Sequence, residues 1–256
     1  MNIRKRSKKL VNRRSLSAMA IIIVISAIGG YCYWSVQTWG GYEKSYLGLR
    51  QEIRQSTDDS LALAMNSYDE RVKKVASLSG VVSTIKSKES ICDVSGYIGW
   101  QAQLFADPKS KIAKCNETVD CIANYGTDLH SVVSYLEVEQ RIANIINSTV
   151  SSQKQTEKTW DLQLTAWAKA VVDIDNIQSE ASSQPMKENA LNYAKKMETS
   201  WKAVIAAHKA HNKAGYLGSY AELVRSHEML ANIASDSQSA FNVLAKKLQS
   251  SYDTLK

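Results

Sequence analysis

Residues 220–248 read YAELVRSHEMLANIASDSQSAFNVLAKKL, and they carry the most regular helical pattern in the chain. Apolar, small or amphipathic residues recur there at alternating steps of three and four, which places them on one face of an α-helix. They are Tyr220, Leu223, His227, Leu230, Ala234, Ser237, Phe241, Leu244 and Leu248. The pattern predicts a long amphipathic helix that buries this face against other helices.

The same spacing predicts further helices upstream. They cover 42–88, 127–152 with Thr127 as the N-cap, 160–177, and 185–215 with Pro185 in the first turn and Gly215 at the end. The chain has only 2 prolines and 11 glycines, too few for a fold with many short strands and turns. We therefore predict an all-α fold in which four to five long helices form an antiparallel bundle. Trp160, Trp167 and Trp201 lie on the apolar stripes and are predicted core residues.

The net charge of +7 comes from one end of the chain. Residues 1–14 hold seven cations and no acid, and the rest of the chain is balanced. The cations are Arg4, Lys5, Arg6, Lys8, Lys9, Arg13 and Arg14. A basic surface spread over a folded domain is missing, so we expect no nucleic-acid partner.

Residues 16–36 contain no charged side chain and include the run Ile21 to Ile25. Such a length spans a bilayer as a helix, and the preceding cations predict a cytoplasmic N-terminus. Four aromatic residues at the far end are expected at the membrane interface: Tyr31, Tyr33, Trp34 and Trp39. An alternative is a cleaved signal peptide with its cleavage site near Ala27 to Gly29.

The predicted organisation is a basic cytoplasmic tail (1–14), a transmembrane signal-anchor (15–36), a linker around Gly40-Gly41 (37–42) and an extracytoplasmic bundle (43–256). The bundle contains an irregular insertion at 89–126, a mixed segment that holds Gly96, Gly99, Pro108 and Gly126. We expect a single-pass cell-membrane protein with most of its chain outside the cytoplasm.

Three cysteines lie in or beside the insertion: Cys92, Cys115 and Cys121. The predicted compartment permits disulfides. A helical turn between Cys115 and Cys121 would hold them too far apart, so Cys92 is expected to pair with one of these two. Buried free thiols, or a metal or catalytic thiol, are the alternatives.

Three histidines are candidate metal ligands. If the last two helices fold back about residues 216 and 217, His208 and His227 lie at one level, with His211 nearby and Glu222 opposite His211. Converging imidazoles can bind a transition metal or respond to pH. The alternative is that they are amphipathic side chains near a bundle end.

Signatures of catalysis are missing from the sequence: it has no Glu-x-x-His pair, no His-Glu-x-x-His and no Gly-x-Ser-x-Gly. We expect a non-catalytic scaffold without a cofactor, which binds envelope proteins or itself. A ligand- or metal-sensing bundle at His208, His211 and His227 is the alternative, and an unrecognised envelope enzyme is a third hypothesis.

Overall fold

The structure is a computed structural model. It describes the backbone of residues 3–61, 68–94, 100–101, 105–150 and 157–255, and side chains within 22–55, 73–88, 91–94, 100–101, 105–150 and 159–255. The helices are α1 (Ile3–Leu61), α2 (Tyr68–Ser87), α3 (Ala106–Val150), α4 (Glu157–Asp175), α5 (Gln184–Lys209) and α6 (Lys213–Asp253). A 3-10 turn covers Glu89–Cys92, and no strand occurs in these ranges. The predicted all-helical fold is confirmed.

The chain divides into two compact units. One comprises Met1–Gln51 and Ile91–Thr118, and the other comprises Glu52–Ser90 and Val119–Lys256. We call them the proximal unit and the bundle unit. Helices α1 and α3 contribute residues to both.

Helices α5 and α6 of the bundle unit pack antiparallel. The ammonium group of Lys196 lies 2.8 Å from the carboxylate of Glu222, and farther along Ser237 lies beside Met186. Helix α4 packs against α5 in the same manner, with Trp167 edge-on to Tyr193. The predicted core tryptophans are confirmed, since Trp160, Trp167 and Trp201 are all buried.

Helix α3 also runs antiparallel to α6. Tyr125 packs against Tyr252, and ten residues later the hydroxyl of Tyr135 donates a 2.9 Å hydrogen bond to the carbonyl of Ser237. Lys247 lies 2.8 Å from the buried carboxylate of Asp128, which also accepts a hydrogen bond from Ser251. These contacts bury one side of α3 against α6.

The prediction of irregular structure at 89–126 is wrong for the second half of this range. Helix α3 begins at Ala106, and Thr127, the expected N-cap, lies inside it and donates its hydroxyl to the carbonyl of Ala123. Pro108 is tolerated because the first-turn N–H groups of a helix have no intrahelical partner. Gly126 lacks the Cβ that would lie 2.8 Å from Cγ2 of Ile85. A close approach of α2 therefore explains this glycine better than a break in the helix.

The predicted linker at 37–42 is helical. Helix α1 continues through Gly40 and Gly41 without interruption. Each glycine costs a helix about 1 kcal/mol relative to alanine. Burial of Trp39 beside them supplies a stabilising tertiary contact that the sequence did not reveal.

No helix among the described residues is long and apolar enough to cross a membrane. The basic tail at 1–14 and the first part of the predicted anchor, up to residue 21, have side chains outside the described ones.

Candidate functional site

An open groove of the bundle unit lies between α2, α3 and the connection from α4 to α5. Its volume is about 590 Å³. It is lined by Ser79, Val82, Ser83 and Lys86 of α2, by His130, Val133, Ser134, Glu137, Val138 and Arg141 of α3, and by Gln178, Ser179 and Glu180 of the connection. We call it the serine groove, because four serines line it.

Burial and hydrogen bonds hold the connection from α4 to α5 in place at the groove. Ile177 and Ser183 are buried, and Lys187 donates a 2.7 Å hydrogen bond to the carbonyl of Ile177. The N–H of Ser183 donates to the carbonyl of Glu180 and closes a tight turn. The carboxylate of Glu180 thereby faces α3.

His130 and Glu180 form the one polar link between these two walls that we find among the described side chains. Nε2 of His130 lies 3.1 Å from Oε1 of Glu180. The two side chains are 57% and 47% exposed, so solvent screens the interaction. Within the described residues no hydroxyl hydrogen-bonds to His130.

The charges in the groove are mixed. Lys86 and Arg141 have no ion-pair partner among the side chains that the structure describes, and neither has Glu137. Unpaired cations and a carboxylate in one groove can each engage a polar or zwitterionic ligand group. This site was not predicted from the sequence, because the groove joins segments about 50 and 100 residues apart, a proximity that helical periodicity does not encode.

The predicted histidine cluster does not form. The turn between α5 and α6 lies at residues 210–212, where His211 has a φ of 51°, and Gly215 is in the first turn of α6 with its N–H bonded to Asn212. Gly215 therefore does not terminate the preceding helix, and the turn comes earlier than the predicted 216 and 217.

Because the turn comes earlier in the sequence, the imidazoles of His208 and His227 lie far apart. His227 lies opposite Tyr193, and at 1.5 Å per residue His208 is roughly 22 Å farther along α5. Glu222 pairs with Lys196 and does not face His211. In the described part of the chain no three His, Cys, Asp or Glu side chains lie close enough to hold a metal ion.

His208 instead joins an aromatic cluster at the hairpin end. Its ring is edge-on to Trp160 at 5.1 Å, Trp160 stacks on Tyr216, and Tyr216 stacks on Tyr220. A small cavity of about 210 Å³ adjoins the cluster and is lined in part by His208 and His211. These contacts make His208 a packing residue.

His227 is partly buried. The hydroxyl of Tyr193 lies 3.2 Å from Nδ1 of His227, and burial lowers the pKa of this imidazole below its ordinary value of 6.5. Burial also raises the pKa of Tyr193 well above 10.0. On the outer surface, the hydrogen bond and charge of Lys196 lower the pKa of Glu222.

In the proximal unit a disulfide joins Cys92 and Cys115, with the Cα atoms 5.8 Å apart. The prediction that Cys92 pairs with one of the other two cysteines is confirmed. Cys121 and Cys32 are not bonded to another cysteine.

The four predicted interface aromatics differ in their surroundings. Tyr33 and Trp34 are exposed, whereas Trp39 is only 2% exposed and donates its indole N–H to Oε1 of Gln101 at 2.7 Å. The amide nitrogen of Gln101 then donates to the hydroxyl of Tyr31 at 2.5 Å. Trp39 is therefore a packing residue and not an exposed interface ring.

Further contacts continue this network away from the predicted anchor. Trp39, Tyr42 and Tyr46 form successive edge-on ring pairs, and Lys111 lies 3.3 Å from Glu43. Burial raises the pKa of Tyr42 and of Tyr46. Burial alone would lower the pKa of Lys111, but the hydrogen bond to Glu43 and the charge of Asp107 outweigh it and raise that pKa.

Comparison with known proteins identified no relationship: no family model, curated protein or solved structure matches the chain.

Proposed function

We propose that this chain is a membrane-anchored, non-catalytic helical bundle whose body binds another envelope protein or a second copy of itself. One observation carries the anchoring. Ile22, Ile23, Val24 and Ile25 are all more than half exposed, and consecutive helical residues point about 100° apart. The apolar surface of α1 thus faces nearly every direction, as expected of a helix surrounded by lipid.

The orientation is proposed from charge and cysteine chemistry. Seven cations precede the apolar stretch, which favours a cytoplasmic N-terminus. The Cys92–Cys115 bridge beyond it suits an oxidising compartment, which supports an extracytoplasmic body.

The proposed binding surface of the body is the serine groove. It is open and carries serine hydroxyls and charges of both signs beside apolar surface, and the chain beyond residue 14 has no net charge that would select a partner of one sign. Hydroxyls and separated charges of both signs favour a complementary polar polypeptide surface.

Photo-crosslinking in native membranes tests this proposal. A photoreactive amino acid replaces Ser83, an exposed residue of the groove, and in a matched control replaces Ser250, an exposed serine on α6. We expect adducts from position 83 only, and adduct mass distinguishes a second copy from another protein. Adducts from position 250 alone would refute the serine groove as the binding surface. If neither position gave adducts, and a scan of the other exposed faces gave none, the scaffold function would be refuted.

A second candidate function is binding of a small polar ligand in the same groove. The volume lies within the roughly 300–1,000 Å³ usual for such sites, and Lys86 and Arg141 are available cations. Thermal unfolding with succinate as a probe tests it, because a ligand that binds only the folded state raises Tm. We expect the rise to disappear in Lys86→Gln and Arg141→Gln and to persist in the exposed control Lys195→Gln. Wild-type protein without any rise would exclude dicarboxylates.

A further inference from the structure

Gln101 holds a segment distant in sequence against α1. Its side-chain oxygen accepts from Trp39 and its amide nitrogen donates to Tyr31. Gln101 itself is 1% exposed, so both hydrogen bonds are shielded from water. Residues 100 and 101 are therefore held beside the part of α1 that lies between residues 31 and 39.

Two exposed aromatic side chains flank this buried glutamine. Trp100 and Phe105 are each 49% exposed. The N–H of Phe105 donates to the carbonyl of Gln101, which keeps Phe105 one helical turn away. Trp100 and Phe105 are thus large apolar side chains that are half exposed on either side of Gln101 in sequence. We call these two side chains the aromatic patch, and exposed apolar surface of this kind indicates a binding surface.

The position of this patch along the axis of α1 indicates what it binds. Tyr31 is three residues beyond Ile28, the last exposed isoleucine of the apolar stretch, which corresponds to roughly 4.5 Å along the helix axis. Tyr33 and Trp34 are exposed at the same level. Aromatic rings concentrate at this depth in membrane proteins, where the acyl chains meet the headgroups.

The patch is also held in place before any binding occurs. The Cys92–Cys115 disulfide links two positions within the segment 91–118. The Lys111–Glu43 ion pair links the same segment to α1. A surface that is ordered in advance loses less conformational entropy when it binds.

We infer that Trp100 and Phe105 form a second membrane contact, which lies on the bilayer interface next to the point where α1 leaves the lipid. The inference rests on the proposed membrane anchoring. It adds a contact from a segment more than sixty residues farther along the chain, so the proximal unit is in contact with the membrane through two separate elements.

The test uses the full chain in phosphatidylcholine vesicles that contain a minor fraction of phosphatidylglycerol. In a background with Cys32→Ser and Cys121→Ser, an environment-sensitive fluorophore is attached to Trp100→Cys, to Ile25→Cys or to Leu162→Cys. Ile25 lies on the apolar stretch, and Leu162 is an exposed residue of α4. Spin-labelled lipids with the quencher near the headgroup or deep in the acyl region then report depth. Resistance of Cys92 and Cys115 to thiol reagents confirms folding in each variant.

We expect the label at position 100 to be quenched mainly by the shallow quencher, the label at 25 mainly by the deep one, and the label at 162 by neither. Quenching at 25 without quenching at 100 would overturn the second contact and leave the anchor in place. Absence of quenching at both positions would overturn the anchor proposal as well. A label at 100 that is shielded in native membranes but not quenched in vesicles would assign the patch to a protein partner and also overturn the inference.

Discussion

The hydroxyl of Tyr193 on α5 lies 3.2 Å from Nδ1 of His227 on α6, so these two residues face each other in the α5–α6 hairpin. In the neutral imidazole tautomer with its proton on Nε2, Nδ1 accepts this hydrogen bond from the phenol. Both groups favour their uncharged forms because both are partly removed from water.

The first prediction is a loss of stability in acid. Burial lowers the pKa of His227 in the folded state, so the unfolded state binds more protons at and below about pH 6.5. The free energy of unfolding should therefore fall as the pH decreases through that region. His227→Asn should weaken this dependence in thermal melts recorded from pH 5 to 8. His211→Asn is the matched control, because His211 is exposed and asparagine tolerates its positive φ. An unchanged pH profile in His227→Asn would refute the assignment.

The second prediction is a loss of stability in base. Burial raises the pKa of Tyr193, so the stability that its neutral form contributes is present below pH 10.0 and decreases as the pH rises above that value. Tyr193→Phe removes the titrating hydroxyl and its hydrogen bond, at a cost of about 1 kcal/mol near neutral pH. The variant should then lose less stability than the wild type between pH 9 and 11. Denaturant unfolding at each pH measures this, with the exposed Tyr33→Phe as control.

The third prediction is that glycine-to-alanine substitutions at two positions change the free energy of unfolding in opposite directions. Gly126→Ala places a Cβ 2.8 Å from a methyl group of the buried, β-branched Ile85, and overpacking of this kind costs about 1–3 kcal/mol. Gly80→Ala on α2 enters open space and should stabilise the helix by about 0.5–1 kcal/mol. Urea unfolding compares the two. Equal effects would mean that α2 does not approach α3 closely at Gly126.

The fourth prediction concerns the disulfide. Cys92 and Cys115 are 23 residues apart, and opening a loop of this size costs about 3 kcal/mol in the entropic model. Paired Cys92→Ser and Cys115→Ser substitutions should therefore lower Tm, whereas Cys121→Ser should have little effect. Denatured but unreduced protein should expose two thiols, and reduced protein all 4 cysteines. Four thiols before reduction would exclude the bridge.

Periodicity predicted the helices well where each face finds a partner. Met197, Trp201 and Val204 lie on the predicted stripe of α5, and all three are buried. On α6, Phe241 and Leu248 are buried as predicted, but Ala234 of the same stripe is exposed. A stripe indicates which side of a helix can be buried. It does not indicate whether another helix reaches that side.

Boundaries and turns were harder to predict. Pro108 and Gly126 were interpreted as breaks, yet one lies in a first turn and the other at a close helix contact. The hairpin turn was placed about five residues too late, because Gly215 was interpreted as a helix end when it is part of the cap of α6. That small error displaced the predicted histidine site by several helical turns. When the turn of a helical hairpin shifts along the sequence, the two helices move past each other in opposite directions.

The sequence by itself determined the helical character of the chain, its main apolar faces and the concentration of positive charge at residues 1–14, because these properties depend on residues within a few helical turns of one another. Tertiary structure alone decided the pairing of Cys92 with Cys115, the contact of Gln101 with Trp39 and Tyr31, and the serine groove. Each of these joins residues more than twenty positions apart. Their distance depends on how helices pack, and no local pattern of residue types encodes that packing.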